Sequence, residues 1–404
     1  MLRDALVLSL GYNATLVTLG AAILGCSAGI AGSFLYLRKN ALISDAISHA
    51  TLPGLGLAFM LASSLGFDGR SLIVLLVGAG FSAALGLMAV SWLTHMTRLE
   101  KDAAIGAVLS VFFGFGVVVL TIVQNNPSGS QAGLEGFLLG STAGMLLNES
   151  FLILLTSLVA FALLVIFYRP ITLVSFDEGY ARSIGISVRL VDYLILAVAL
   201  VVTVIGMKIV GLILIVALLI IPSVSARFWS DKAHRIVILS GIFGALSGYV
   251  GSAVSAVSLG LPTGPIIVLC STAVFVVSFL FAPRRGILSS MIKSLRFEQT
   301  LHLAQGLLAI AQEQPIYEAK TLRILKRKGY LRRDSVPTQL GYARAKKTLL
   351  NERRWAYWIN HHNGTQGPHT HQISTLIDIE QKLTPDQISL IDQGLANAQE
   401  GRLA

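Results

Sequence analysis

The stretch RKNALISDAISHATLPG, running from Arg38 to Gly54, decides how this chain is read. In an otherwise apolar context, Asp45 and His49 stand four residues apart, just ahead of a long apolar run. Positions i and i+4 share one face of a helix. A carboxylate and an imidazole on one face can share a proton, pair with each other, or hold a divalent cation. Pro53 and Gly54 follow closely. They loosen a helix at that point and free backbone carbonyls near the pair.

Working outward, the 404 residues are 54% hydrophobic and 13% charged, about half the charge of a typical soluble domain at ~25%. The expected class is an all-α polytopic membrane protein. Residues 1–283 hold 13 Lys/Arg against 11 Asp/Glu, whereas 284–404 hold 18 against 10. A nearly neutral, oily body thus precedes a basic tail long enough for a small domain with its own core. Cys26 and Cys270 both lie in apolar runs and form neither a disulfide framework nor a zinc ribbon. The N-terminal MLRDALVLSLGYN lacks the charge, apolar length and small-residue site of a cleaved signal.

Apolar runs long enough to span a bilayer fall at 14–37, 42–65, 71–93, 103–123, 151–168, 190–207, 209–226, 236–258 and 265–282. The division between the sixth and seventh is placed at Gly206–Gly211. The short, glycine-rich piece at 132–147 reads as re-entrant or interfacial. Alternate loops carry Arg38/Lys39, Arg98/Lys101, Arg169/Arg182/Arg189, Arg227/Lys232/Arg235 and Arg284/Arg285, while the intervening loops hold at most one base. That asymmetry predicts an outside N-terminus and a cytoplasmic tail in the inner or plasma membrane. Runs such as GAAILGCSAGIAGS supply the small residues that let helices pack closely in lipid.

The segment RKNALISDAISHATLPGLGLAF resembles the signature of the zinc/manganese/iron-type ABC transporter permeases. Three further segments agree in order: VSFDEGYARSIGISVRLVDYL, MKIVGLILIVALLIIPSVSAR and LPTGPIIVLCSTAVFVVSFLFAPRRG. The resemblance spans roughly residues 12–286. It implies a permease with a metal pathway at Asp45 and His49, moving manganese, zinc or iron. It also implies a coupling segment built on Asp177, Glu178, Ala181 and Gly185, which docks on a separate ATPase. An extracytoplasmic metal-binding protein is implied too, as is a second permease subunit, identical or related. The chain itself has no Gly-rich loop ending in Gly-Lys-Ser/Thr, so ATP is expected on the partner and no catalytic residue in this chain. Two other classes compete: a proton-coupled secondary metal transporter using Asp45 and His49 as a relay, and a membrane-tethered metal-responsive regulator.

Beyond the body, 287–318 reads as a linker with one or two helices, and 319–404 as a small domain. Leu322 and Leu325 recur at helical spacing before Gly329. GYLRR and SVPTQ flank Asp334 as a short hairpin would, Thr338 is placed to cap the next helix, and Trp355 and Trp358 are candidate core residues. Helix, wing and helix predict a winged-helix fold. The stretch through GPHTHQISTLIDIEQKLTPD resembles the metal-dependent repressors of the diphtheria-toxin-repressor type. That resemblance implies a metal site among His369, His371 and Glu380, with Gln381 where a further His would fall. A regulatory or dimer-supporting role is expected ahead of DNA binding, and contact with anionic membrane lipid is the plain alternative for so basic a tail.

Overall fold

The computed structural model describes residues 12–67, 71–125, 147–257, 262–362 and 378–400. The short piece at 132–147 lies almost wholly outside them. Among the described residues the chain is helical, with no strand and one isolated antiparallel bridge, Leu331 to Pro337. It divides into two units, Met1–Ser289 and Ser290–Ala404.

Each of the nine apolar runs is a helix in the first unit, as expected where lipid offers no partner for a backbone amide. In chain order these are α1 (Tyr12–Leu37), α2 (Ala41–Ser64), α3 (Leu72–Met96), α4 (Lys101–Gln124) and α5 (Leu147–Ile166). Two short helices follow, α6 (Tyr168–Phe176) and α7 (Glu178–Ser183). Then come α8 (Val188–Ile209), α9 (Leu212–Trp229), α10 (Ala233–Ala256) and α11 (Thr263–Phe281). Seven are long and apolar enough to cross a membrane unaided. The run expected to span at 151–168 turns by 61° into α6, and the two together make an eighth candidate. The run at 209–226 yields a shorter apolar helix, Leu214–Trp229 by the same measure. The long run from 190 breaks at Gly211, whose φ of +94° suits glycine.

Small residues set the packing. A Cβ on Gly25 or Gly29 of α1 would run into the carbonyls of Gly244 and Ser240 of α10, and one on Gly248 would meet Ala21. α2 sits against α3 and α4 in the same way: Gly54 abuts the Gly78 carbonyl, and Gly116 abuts Leu52 and Pro53. Backbones this close gain dispersion contacts that larger side chains would forfeit. The core between them is filled by Leu24, Phe34, Ile47, Ile195 and Ile215.

In the second unit, the expected linker begins with one 25-residue helix, α12 (Ile287–Ala311). α13 (Ala319–Arg327) ends at Gly329, whose φ of +74° makes it the left-handed stop expected. The hairpin expected around Asp334 is reduced to the single Leu331–Pro337 bridge. Ser335, with φ +68°, sits in the turn, and its amide donates to the Arg332 carbonyl at 3.1 Å. Thr338 does cap the next helix, α14 (Gln339–His362): its Oγ1 accepts from the Gly341 amide at 3.0 Å. A 3-10 turn (Ile379–Gln381) and α15 (Pro385–Glu400) follow. Leu307, Ile310, Leu325, Leu331 and Ala345 form this unit's core, while Trp355 and Trp358 are only half-buried.

Candidate functional site

α2 opens at Ala41 after a three-residue link and runs through Pro53. Its first two turns place Asp45 and His49 on one face, with His49 Nε2 3.4 Å from Asp45 Oδ1. The distance is longer than a good hydrogen bond, so the two groups converge without saturating each other. The imidazole stands edge-on to Phe113 of α4, ring centroids 5.0 Å apart. Its Nδ1 is buried with no hydrogen-bond partner. Pro53 brings no N–H to the His49 carbonyl four residues back, so a backbone oxygen near the pair lacks its helical donor. Side-chain exposure of 19% for His49 and 42% for Asp45 leaves the pair accessible from one side.

The link before α2 is tied down quite differently. Arg38 Nε and Nη2 donate to the two Asp192 oxygens of α8 at 2.9 and 2.8 Å. Its Nη1 donates to Glu178 at 2.7 Å and to the Val174 carbonyl at 2.9 Å. Burial works against the Arg38 charge, but its hydrogen bonds to Asp192 and then Glu178, with the negative charge of both, outweigh it and hold the guanidinium pKa above its usual value. Beside it, Lys101 of α4 donates to the Asn40 side chain at 2.6 Å. The link thus joins α1, α2, α4, α6, α7 and α8 at one end of the bundle.

The expected coupling segment is a short helix held at both ends. The Asp177 side chain accepts from the Tyr180 amide at 2.9 Å as N-cap. Gly185, at φ +84°, ends the helix, and the Ile186 amide returns to the Ala181 carbonyl at 2.9 Å. Ala181 is fully buried against Val174 and Val188, where no larger side chain fits without displacing them. Of the four residues expected in coupling, Asp177, Ala181 and Gly185 therefore build the helix, while Glu178 ties it to Arg38. Around this helix Phe176, Tyr180 and Ile184 expose large apolar side chains beside the exposed Glu178, Arg182 and Ser183.

A family model described as the ABC 3 transport family matches residues 12–282. The chain belongs to the ABC 3 transport family. Among similar proteins, the manganese transport system membrane protein MntC of Bacillus subtilis is 37% identical over 310 residues, 77% of this chain and 69% of its own length. The zinc transport system membrane protein TroC of Treponema pallidum is 39% identical over 277 residues, 69% of this chain and 91% of its own. Among solved structures, PsaBC from Streptococcus pneumoniae in complex with Fab superposes with a TM-score of 0.61 at 28% identity, covering 72% of this chain and all of that one.

In this ABC 3 family member, sequence reasoning finds Asp45 and His49 but misses Asp192. A lone carboxylate near the start of the run at 190–207 is the available signal, since such a charge needs a partner. Arg38 reads from sequence only as a loop charge. In the tail, His369 and His371 lie outside the described residues. Glu380 accepts from Arg354 at 3.0 Å and lies 3.6 Å from Lys347 Nζ, while Arg354 also grips Asp392 through both of its oxygens. These partners, Asp392 foremost, raise the Arg354 pKa. Glu380 is thus committed to an ion-pair network. Among the described residues no three His, Cys, Asp or Glu side chains gather into a metal-binding group.

Proposed function

We propose that this chain is one half of a membrane pathway that imports a divalent transition metal, manganese, zinc or ferrous iron, by alternating access. The carrying observation is the converging Asp45–His49 pair, 3.4 Å apart at the start of α2 in a member of the ABC 3 transport family, with no third ligand gathered beside it among the described residues. Two donors bind a first-row dication weakly, which suits an ion that must leave again. A resident metal site holds its histidine through the second ring nitrogen; the His49 Nδ1 lacks such a partner. A second copy, or a related permease, would bring two more donors to a shared axis and complete a four-ligand shell.

In this reading the work comes from ATP hydrolysed on a separate ATPase, and an extracytoplasmic binding protein delivers the metal. Phe176, Tyr180 and Ile184 enter a groove of the ATPase, and Asp177, Ala181 and Gly185 keep that face rigid. Movement of α7 passes through Glu178 and Arg38 to the link that starts α2. The nine apolar runs are read as nine spans, and an outside N-terminus and a cytoplasmic tail follow from the distribution of basic loops. The tail acts as a repressor-like regulatory domain. The Thr338-capped helix behind a one-bridge wing supports that reading, and Glu380's ion pairs argue against metal sensing through that carboxylate.

The test is uptake of radiolabelled manganese, zinc and iron by cells expressing the chain with its ATPase. The double variant Asp45→Ala with His49→Ala is expected to fall to background while membrane abundance stays unchanged. Undiminished uptake overturns the pathway. Uptake that persists without the ATPase and follows the proton gradient instead makes the pair a proton relay.

A further inference from the structure

Five residues separate the end of α11 at Phe281 from the start of α12 at Ile287, so the chain between them reaches no farther than about 20 Å. That short link is fixed to the bundle. Arg284 and Arg285 donate to Asp231, in the turn between α9 and α10, at 3.0 and 2.7 Å. The hydrogen bond from Arg284, and then the positive charge around it, hold the Asp231 pKa below the usual carboxylate value. The Gly286 amide closes a turn onto Ala282, and the Ser289 hydroxyl donates to the Pro283 carbonyl.

The first turns of α12 carry an exposed apolar stripe. Ile287, Leu288, Met291, Ile292 and Leu295 are each between 41% and 58% exposed. At 3.6 residues per turn they occupy one side of the helix for about 13 Å. Ser289, Lys293 and Arg296 fall on the other side of the same turns, where the exposed Phe297 also stands beside Lys293, and Glu298 and Gln299 end the stripe. With Lys293, Arg296 and Glu298 so close together, this stretch is no spanning helix. Farther along, Leu307 and Ile310 turn into the core of the second unit, so the exposed stripe is confined to the first turns of the helix.

We propose that the first three turns of α12 lie flat on the bilayer, with the apolar stripe sunk into the headgroup boundary and Lys293 and Arg296 facing anionic lipid phosphates. A contiguous exposed apolar stripe needs an occupant. A basic amphipathic segment held within a few residues of a membrane span has lipid beside it at all times. The inference rests on the chain's membrane setting, and it stands whichever metal is carried.

The experiment uses the full chain carrying Cys26→Ala and Cys270→Ala. Met291→Cys on the stripe and Lys293→Cys on the opposite side are labelled in turn with an environment-sensitive dye. Each is reconstituted into vesicles of phosphatidylethanolamine and phosphatidylglycerol containing a doxyl-labelled lipid. The dye at position 291 is expected to emit at shorter wavelength and to be quenched severalfold more by the doxyl lipid than the dye at 293. Aqueous iodide should rank the two in the opposite order. Exchanging phosphatidylglycerol for phosphatidylcholine is expected to reduce lipid quenching at 291. Equal lipid quenching at both positions overturns the proposal. So does protection of 291 from iodide without lipid quenching, because protein then covers the stripe. Metal uptake by the same labelled proteins is read in parallel, so a failure here is separable from a failure of the transport reading.

Discussion

Two polar clusters flank the start of α2, and they are built in opposite ways. Arg38 is 11% exposed and meets acceptors on Val174, Glu178 and Asp192 at 2.7 to 2.9 Å. Asp45 and His49 approach only to 3.4 Å, and the buried Nδ1 has no partner. Proteins rarely leave buried polar atoms unpaired without a reason. A saturated cluster fixes geometry, because every alternative arrangement loses charge-assisted hydrogen bonds. An unsaturated pair keeps its lone pairs for a guest. The short link between them places a saturated cluster on the side of α7 and an unsaturated pair on the first turns of α2.

The sharpest way to break this contrast is to compare stabilities. Arg38→Ala leaves the partly buried Asp192 without its bidentate partner, with only the more distant Lys101 to offset its charge, and is expected to cost about 3 kcal/mol, read as a lower melting temperature of the purified protein in detergent. Asp45→Ala with His49→Ala is expected to stop uptake yet to change stability by less than about 1 kcal/mol, because no strong bond is lost. Equal stability losses in the two variants would erase the distinction. Next in size is Asp177→Ala, which removes the cap of α7 at about 1 kcal/mol. Amide exchange across Glu178–Ser183 should speed up, and Asp177→Asn, which also caps, should restore protection. Unchanged exchange in the alanine variant would mean that burial of Ala181, and not the cap, orders the helix.

How much of the molecule is legible in its sequence depends on the physics of each feature. Apolar runs announce membrane helices directly, since the backbone has no alternative in lipid. The i, i+4 spacing of Asp45 and His49 is equally local, as is the glycine that ends α7. The bend after Ile166 has a local signal, since Arg169 and Pro170 end the apolar run there and a proline suits the first turn of a new helix; the size of the turn, 61°, has none. The Arg38–Asp192 clamp joins residues 154 positions apart, and no local pattern carries such a pairing. In the tail, Thr338 and Gly329 are readable as cap and stop. The expected hairpin is a single bridge because turn residues around Asp334 mark a reversal of the chain without fixing how far paired strands extend beyond it.

The smallest expected effect sharpens the picture of the clamp itself. Glu178 is 46% exposed and contributes one of Arg38's acceptors, while both Asp192 oxygens and the Val174 carbonyl remain when Glu178 is neutralised. Glu178→Gln should therefore cost only about 0.5 kcal/mol, the size of a half-exposed ion pair. The difference from the parent protein should shrink as salt rises from about 0.1 to about 1 M, where the screening length falls from about 10 to about 3 Å. Uptake, by contrast, should drop more than stability does, because Glu178 is the side chain through which α7 reaches the clamp. A loss of stability as large as that of Arg38→Ala would make Glu178 the anchor in place of Asp192. A loss of stability with uptake intact would reduce the clamp to a fastening, with force reaching α2 by another route.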